Sequence, residues 1–249
     1  MFHTAAYITT LLAQAANFDT PALSDDILAI SNNHFLPQRD YDLVAAYVQS
    51  TTLNRARLVS PTNRQITLPF IRPTSANTTP PSRVPLADYR DNPFRVEGLE
   101  ELALEMSSDL GAATEVGLGV VFLETGRRPA PRGQVFTLRG TSTTTAAVNL
   151  WTTLAMTWAD ALPVGRYAIV GMEVIGATEI AGRVILEGQY ERPGCIAGVL
   201  VGGITHPMFQ KGGLGLWGEF VSTRMPIVQV LNLAAVAVHT VYLDIIKIS

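Results

Sequence analysis

Roughly the last hundred residues break into short, nearly uncharged apolar segments divided by Gly and Pro, and this punctuation limits the fold more than any other feature. Residues 164–177, 180–188, 196–201, 214–221, 227–231 and 236–248 each have strand length, with Pro163, Gly176, Gly182, Pro193, Gly212, Gly213 and Pro226 as turn residues. Several short strands at regular spacing point to an all-β sandwich or barrel. No recognisable catalytic cluster accompanies them.

A chain of 249 residues can form one large core, and β sandwiches of this size often stay one domain. Its hydrophobic share is 47% and its charged share only 16%, against about 25% in a typical chain. A lone molecule would carry a thinly charged surface, so association with copies of itself is the expectation. The cations are 16 Arg and 2 Lys (Lys211, Lys247). Arg suits planar, partly desolvated contacts, although a GC-rich genome gives the same bias.

The net charge of −3 is unevenly spread. Residues 1–54 hold one Arg against five Asp, residues 55–139 eleven Arg against nine acids, and the remainder six basic against seven acidic residues. None of these stretches is a basic arm, which argues against nucleic acid held by a tail. The single cysteine, Cys195, excludes an internal disulfide framework and a cysteine-only zinc site. No signal peptide is read at the N-terminus. Asn232, His239 and Asp244 interrupt the longest apolar stretches, so no membrane span is expected.

The first fifty residues fit a helical period. Ile8, Leu11, Leu12 and Ala15 share one face, and Leu43, Val44, Tyr47, Val48 and Thr51 share another, with breaks near Thr20-Pro21 and Asn32–Pro37. Short helices need a surface to cover, which makes Leu11, Leu12, Leu43, Val44 and Tyr47 the expected subunit contacts. From Leu53 the period changes: Arg55 and Arg57 alternate with Ala56 and Leu58, and residues 65–71 read as a second strand. Residues 73–93 hold five of the fifteen prolines and read as a long extended loop.

Helix is expected again over 97–110, where Leu99, Leu102, Met106 and Leu110 form a stripe with four Glu off it. Residues 116–124 and 134–139 read as strands. Residues 147–158 fit either a strand or a helix, and the Thr143–Thr145 run and the Leu-Pro-Val-Gly turn favour strand. Val241, Leu243 and Ile245 oppose Tyr242, Ile246 and Ile248, so the last strand is apolar on both faces and belongs inside a sheet covered on both sides. There is no internal sequence repeat and no low-complexity tract. The division expected is an N-terminal helical segment, 1–52, packed on the body or on neighbouring subunits, and a β-sandwich body, 53–249, that includes the Pro-rich loop.

Candidate motifs are weak. Gly213-Leu-Gly-Leu-Trp-Gly218 has the G-x-G-x-x-G spelling, but a dinucleotide site needs a helix starting on it. Glycines giving close backbone approach are the better reading. His3, His34, His206 and His239 lack metal-ligand spacing. A thiol nucleophile at Cys195 would need a base such as His206, and a buried structural Cys is favoured. Glu97, Glu100, Glu101 and Glu105 read as a solvated face. Asn77-Thr78-Thr79 is a formal glycosylation sequon read as plain loop. Arg127, Arg128 and Arg132 form the one local basic cluster, a candidate contact for an anionic partner. No catalytic, cofactor or metal residue is assigned.

With these residues set out, the chain resembles coat proteins of icosahedral tailless viruses built on a jelly roll. The likeness is carried by Leu162-Pro163-Val164-Gly165-Arg166-Tyr167, Arg192-Pro193-Gly194, Leu214-Gly-Leu-Trp-Gly-Glu-Phe220 and the closing two-sided strand, over residues 116–249. It implies a jelly-roll-like antiparallel β sandwich and a non-enzymatic, many-copy shell subunit, a major capsid protein located in the virion and made in host cytoplasm. Many such coats carry a basic N-terminal arm, and this sequence does not. That departure counts against direct genome binding and suits a shell lined by a membrane or by other capsid proteins. The competing readings are a carbohydrate-binding or carbohydrate-cleaving sandwich, using Trp151, Trp158 and Trp217, and a cupin-like metal enzyme in which His206 and His239 converge.

Overall fold

The computed structural model describes residues 2–11, 22–24, 29–31, 34–35, 37, 39–49, 53–60, 66–68, 87–108, 115–176, 178–199 and 214–249. Every regular element among them is a β-strand. The backbone groups into two compact units. The N-terminal unit comprises residues 5–81 and 85–125, and the C-terminal unit 126–249 with 1–4 and 82–84.

The first eleven strands are β1 (Phe2–Leu11), β2 (Ala22–Ser24), β3 (Ala29–Ser31), β4 (His34–Phe35), β5 (Tyr41–Gln49), β6 (Leu53–Val59), β7 (Ile66–Leu68), β8 (Ala87–Asp88), β9 (Phe94–Val96), β10 (Leu102–Ser108) and β11 (Glu115–Glu124). One sheet runs β2-β1-β11-β5-β8, with β9 also on β5, and a second runs β3-β4-β10-β6-β7. The two sheets face each other: a Cβ added at Gly119 on β11 would overlap the Leu104 side chain of β10.

The remaining strands are β12 (Val135–Ser142), β13 (Trp151–Leu154), β14 (Thr157–Trp158), β15 (Arg166–Gly176), β16 (Glu179–Ile185), β17 (Gly194–Ile196), β18 (Gly198–Val199), β19 (Gly218–Val221), β20 (Ile227–Asn232) and β21 (His239–Lys247). They form a sheet β14-β12-β21-β15-β18, with β19 also on β15, and a sheet β13-β20-β16-β17. Here Gly182 on β16 leaves the space that Val174 of β15 fills from the facing sheet. The strand pairs with a described register are antiparallel, β15 with β18 excepted.

Both units use one connectivity. Take β1, β4, β5, β6, β7, β9, β10, β11 beside β12, β13, β15, β16, β17, β19, β20, β21. In each set the first strand pairs the last, the second the seventh, the third the sixth and the fourth the fifth. In each set the third also pairs the eighth and the fourth the seventh. This is a long antiparallel ribbon folded over into two sheets, made twice.

The expected N-terminal helices are strands. Ile8 and Leu11 lie on β1, while Leu12, Ala15 and Thr51 fall outside the described residues. Leu43 to Val48 are all buried on β5, which is hydrogen-bonded to β11 on one side and to β8 and β9 on the other. A run apolar at every position contains the helical spacing without being helical, and a fully covered strand needs such a run. The helix expected over 97–110 is also replaced, by a turn and then β10. Leu99 sits at φ 67° in that turn, and Leu102, Leu104 and Met106 enter the core with period two. Glu105 faces Arg57 across the strand pair, with Nε–Oε2 2.5 Å.

The other strand expectations stand. Ala56 and Leu58 are buried while Arg57 is half-exposed, and residues 147–158 supply β13 and β14. β21 lies inside its sheet between β12 and β15, with Val241, Leu243, Ile245 and Ile246 buried. Residues 73–86 of the Pro-rich stretch lie outside the described residues; beyond them Ala87 and Asp88 pair with β5.

Candidate assembly surface

The C-terminal unit displays Phe136, Val148, Leu150, Val164, Val221, Ile227, Val238 and Ile248, from 37% exposed at Val221 to 84% at Val164. Among the described residues of the N-terminal unit the one comparable side chain is Leu99. Single exposed apolar residues are ordinary, but adjoining ones rimmed by charge mark a contact surface. Such an arrangement exists where β15, β16, β19 and the start of β20 end together.

There a groove of about 520 Å³ is lined by Ile185, Phe220, Val221, Met225, Pro226 and Ile227. Arg166 bonds Glu219 at 2.5 Å on one wall, and Arg224 pairs with Glu187 on another. These pairs are exposed and add little to stability. Their effect is to hold the charges at the rim and leave the floor apolar. The strand register fixes this layout: Arg166 lies opposite Val221, and Ile185 opposite Ile227. An apolar centre inside a polar rim is the anatomy of a protein contact surface.

The interior of the same unit holds two polar clusters that no sequence motif announced. Arg183 is fully buried on β16, donates from Nε to Gln229 Oε1 at 2.8 Å, and lies 4.1 Å over the Trp151 ring. Arg192 donates to the same oxygen at 3.2 Å, and Gln229 donates to Thr153 Oγ1 at 3.2 Å. Thr153, Gln229 and Arg183 are register partners across β13, β20 and β16, so one amide bridges the row. His3 joins from the chain start by accepting the Arg192 N–H at Nδ1, 3.2 Å.

The second cluster is His239 with Glu179, both wholly buried. His239 Nδ1 meets Glu179 Oε1 at 2.6 Å, and Nε2 faces the carbonyl oxygens of Thr144 at 2.9 Å and Val236 at 3.1 Å. Burial alone would lower the imidazole pKa. The Glu179 hydrogen bond and charge, with the two carbonyls, outweigh it and hold the value above the ordinary 6.5. With both ring nitrogens engaged, His239 has no lone pair for a metal ion. His206, its partner in the metal-enzyme reading, lies outside the described residues.

Sequence-derived candidates fall as follows. Leu43, Val44 and Tyr47 are buried within the folded chain. Their cover is already supplied, and the argument from uncovered helices no longer applies to them. Leu11 ends β1, and Leu12 lies outside the described residues. Arg127, Arg128 and Arg132 are exposed on the stretch after β11. The Arg128 carbonyl accepts the Leu216 N–H at 2.8 Å, and a Cβ at Gly215 (φ +76°) would overlap that oxygen. Close backbone approach therefore explains the glycine at 215, and Gly218 opens a strand, not a helix.

Cys195 is buried and its thiol is pushed up to about 12, chiefly by burial, which leaves no thiolate for nucleophilic work. Trp217 is buried edge-on to Phe2, ring centroids 4.9 Å apart. Trp151 and Trp158 stand on different sheets. Asn77-Thr78-Thr79 lies outside the described residues.

No family model matches the chain, and no curated protein matches it. Among solved structures it is similar to the major capsid protein P2 from Bacteriophage PM2, at 13% identity over 100% of this chain and 98% of that one, with a TM-score of 0.28. It is also similar to the STIV MCP, at 8% identity over 99% and 97% of the two chains, with a TM-score of 0.25. At such scores neither likeness bears on fold or role.

Proposed function

We propose that this chain is a structural, self-assembling subunit of a closed protein shell, a viral major capsid protein built from two jelly rolls in tandem. The observation that carries the reading is the groove of the C-terminal unit, lined by Phe220, Val221, Pro226 and Ile227 together with two exposed ion pairs. The strand order supports the fold: eight strands paired first-to-last in two facing sheets is jelly-roll connectivity, and it occurs twice. Association proceeds by burial of apolar surface, at about 25 cal/mol per Å². Losses of translational and side-chain freedom, about 4–15 kcal/mol per association, cancel much of that gain. A shell therefore works by many modest contacts closing on one another.

The partners of this reading are many copies of the same chain, with other capsid proteins or an internal membrane beneath, and the virion is its location. No helix among the described residues is long and apolar enough to cross a membrane. Arg127, Arg128 and Arg132 remain the candidate contact for an anionic partner. Negative-stain microscopy of the purified full chain tests the proposal. Rings, sheets or closed particles are expected, and a field of separate single chains at high concentration would overturn it.

A further inference from the structure

The His239–Glu179 pair ties together three connections at one end of the C-terminal unit. Thr144 belongs to the stretch after β12, Thr178 to the turn between β15 and β16 with Glu179 opening β16, and Val236 to the stretch between β20 and β21. Backbone bonds join the same three stretches: Ala146 N–H to Val236 O at 2.9 Å, Asn149 N–H to Asn232 O at 2.8 Å, and Leu233 N–H to Thr178 O at 3.0 Å. Gly176 leaves the space the carboxylate occupies, since a Cβ there would overlap it. The stretches so joined carry the exposed Val148, Leu150 and Val238.

Proton counting gives this cluster a property that packing alone would not. A neutral imidazole donates from one nitrogen only, yet both His239 nitrogens face acceptors. Nε2 needs its proton for Thr144 and Val236. A second proton must then lie between Nδ1 and Glu179 Oε1, whether it is assigned to the ring or to the carboxyl. Once that proton is removed, a buried carboxylate faces a bare ring nitrogen. From the elements packed against His239, Glu179 is the charged group that acts on it; the other facing groups are the Thr144 and Val236 carbonyls.

We infer that the His239–Glu179 pair is a pH-sensitive clamp that holds these three stretches closed while it retains the shared proton and releases them as alkaline pH removes it. The closed state keeps the proton above the pH at which an opened, solvated histidine would lose it. Closure is thus strongest between the ordinary carboxylate range and about pH 6.5. It weakens about tenfold per pH unit from there up to the raised value of the closed pair.

Hydrogen exchange on the full chain, corrected for intrinsic rates, reads this at the Ala146, Asn149 and Leu233 amides. Protection should fall as the pH is raised from 6 to 9, while the amides of β15 and β21 stay protected. Glu179→Gln separates a pH clamp from a merely structural contact. Its amide N–H donates to a neutral Nδ1 and its oxygen still accepts the Thr178 N–H, now 3.1 Å from Glu179 Oε2. E179Q should therefore show no loss of protection from pH 6 to pH 9, whereas E179A loses it at both. Flat protection in the parent chain, or a pH-dependent loss in E179Q equal to the parent's, would overturn the inference.

Discussion

At Cys195, burial decides the chemistry. The thiol lies between strands with its pKa pushed up to about 12, so it stays protonated across the physiological range. A thiol-specific reagent at pH 8 should leave the native chain unlabelled and label one cysteine after unfolding; rapid native labelling would refute this placement. Gly119 makes a similar point in steric terms. Leu104 fills the space over it, so Gly119→Val should cost about 1–3 kcal/mol by overpacking, seen as a lower denaturant midpoint. Neither effect depends on a motif, and the His239–Glu179 contact has none either. Sixty residues separate its partners, and only the pairing of β12, β15 and β21 brings them together.

At the scale of the element, β10 separates a strand from the helix its sequence also fits. As a strand, Leu104 enters the core and Glu105 faces outward beside Arg57. Leu104→Ala should destabilise the chain by about 2–5 kcal/mol. Glu105→Ala removes one half-exposed cross-strand pair and should cost about 0.2–1 kcal/mol. On a helix with its stripe at Leu99, Leu102 and Met106, Leu104 would lie off the stripe and the large loss would not appear. Chemical denaturation of both variants distinguishes the two. The C-terminal strands were legible because Gly and Pro bound them. β5 was not, because its run Leu43–Val48, apolar at every position, satisfies helical spacing as readily as a covered strand.

At the scale of the molecule, the repeated connectivity was hidden because it is a property of strand order, and strand order leaves no trace in local composition. β1 and β12 both pair with the last strand of their unit although their sequences, FHTAAYITTL and VFTLRGTS, share no pattern. The thin charge on the chain did point to association, and the groove beside Ile227 gives that tendency a location, whereas the expected helical contacts at Leu43, Val44 and Tyr47 proved to be buried strand positions. Sedimentation velocity across a concentration series tests this most directly, comparing the parent chain with a Val221→Asp, Ile227→Asp double variant. The parent should sediment well above its 26.9 kDa chain mass, and the variant should shift toward that mass with an unchanged melting temperature. A parent chain that stays monomeric throughout, or a variant that assembles as the parent does, would contradict the account.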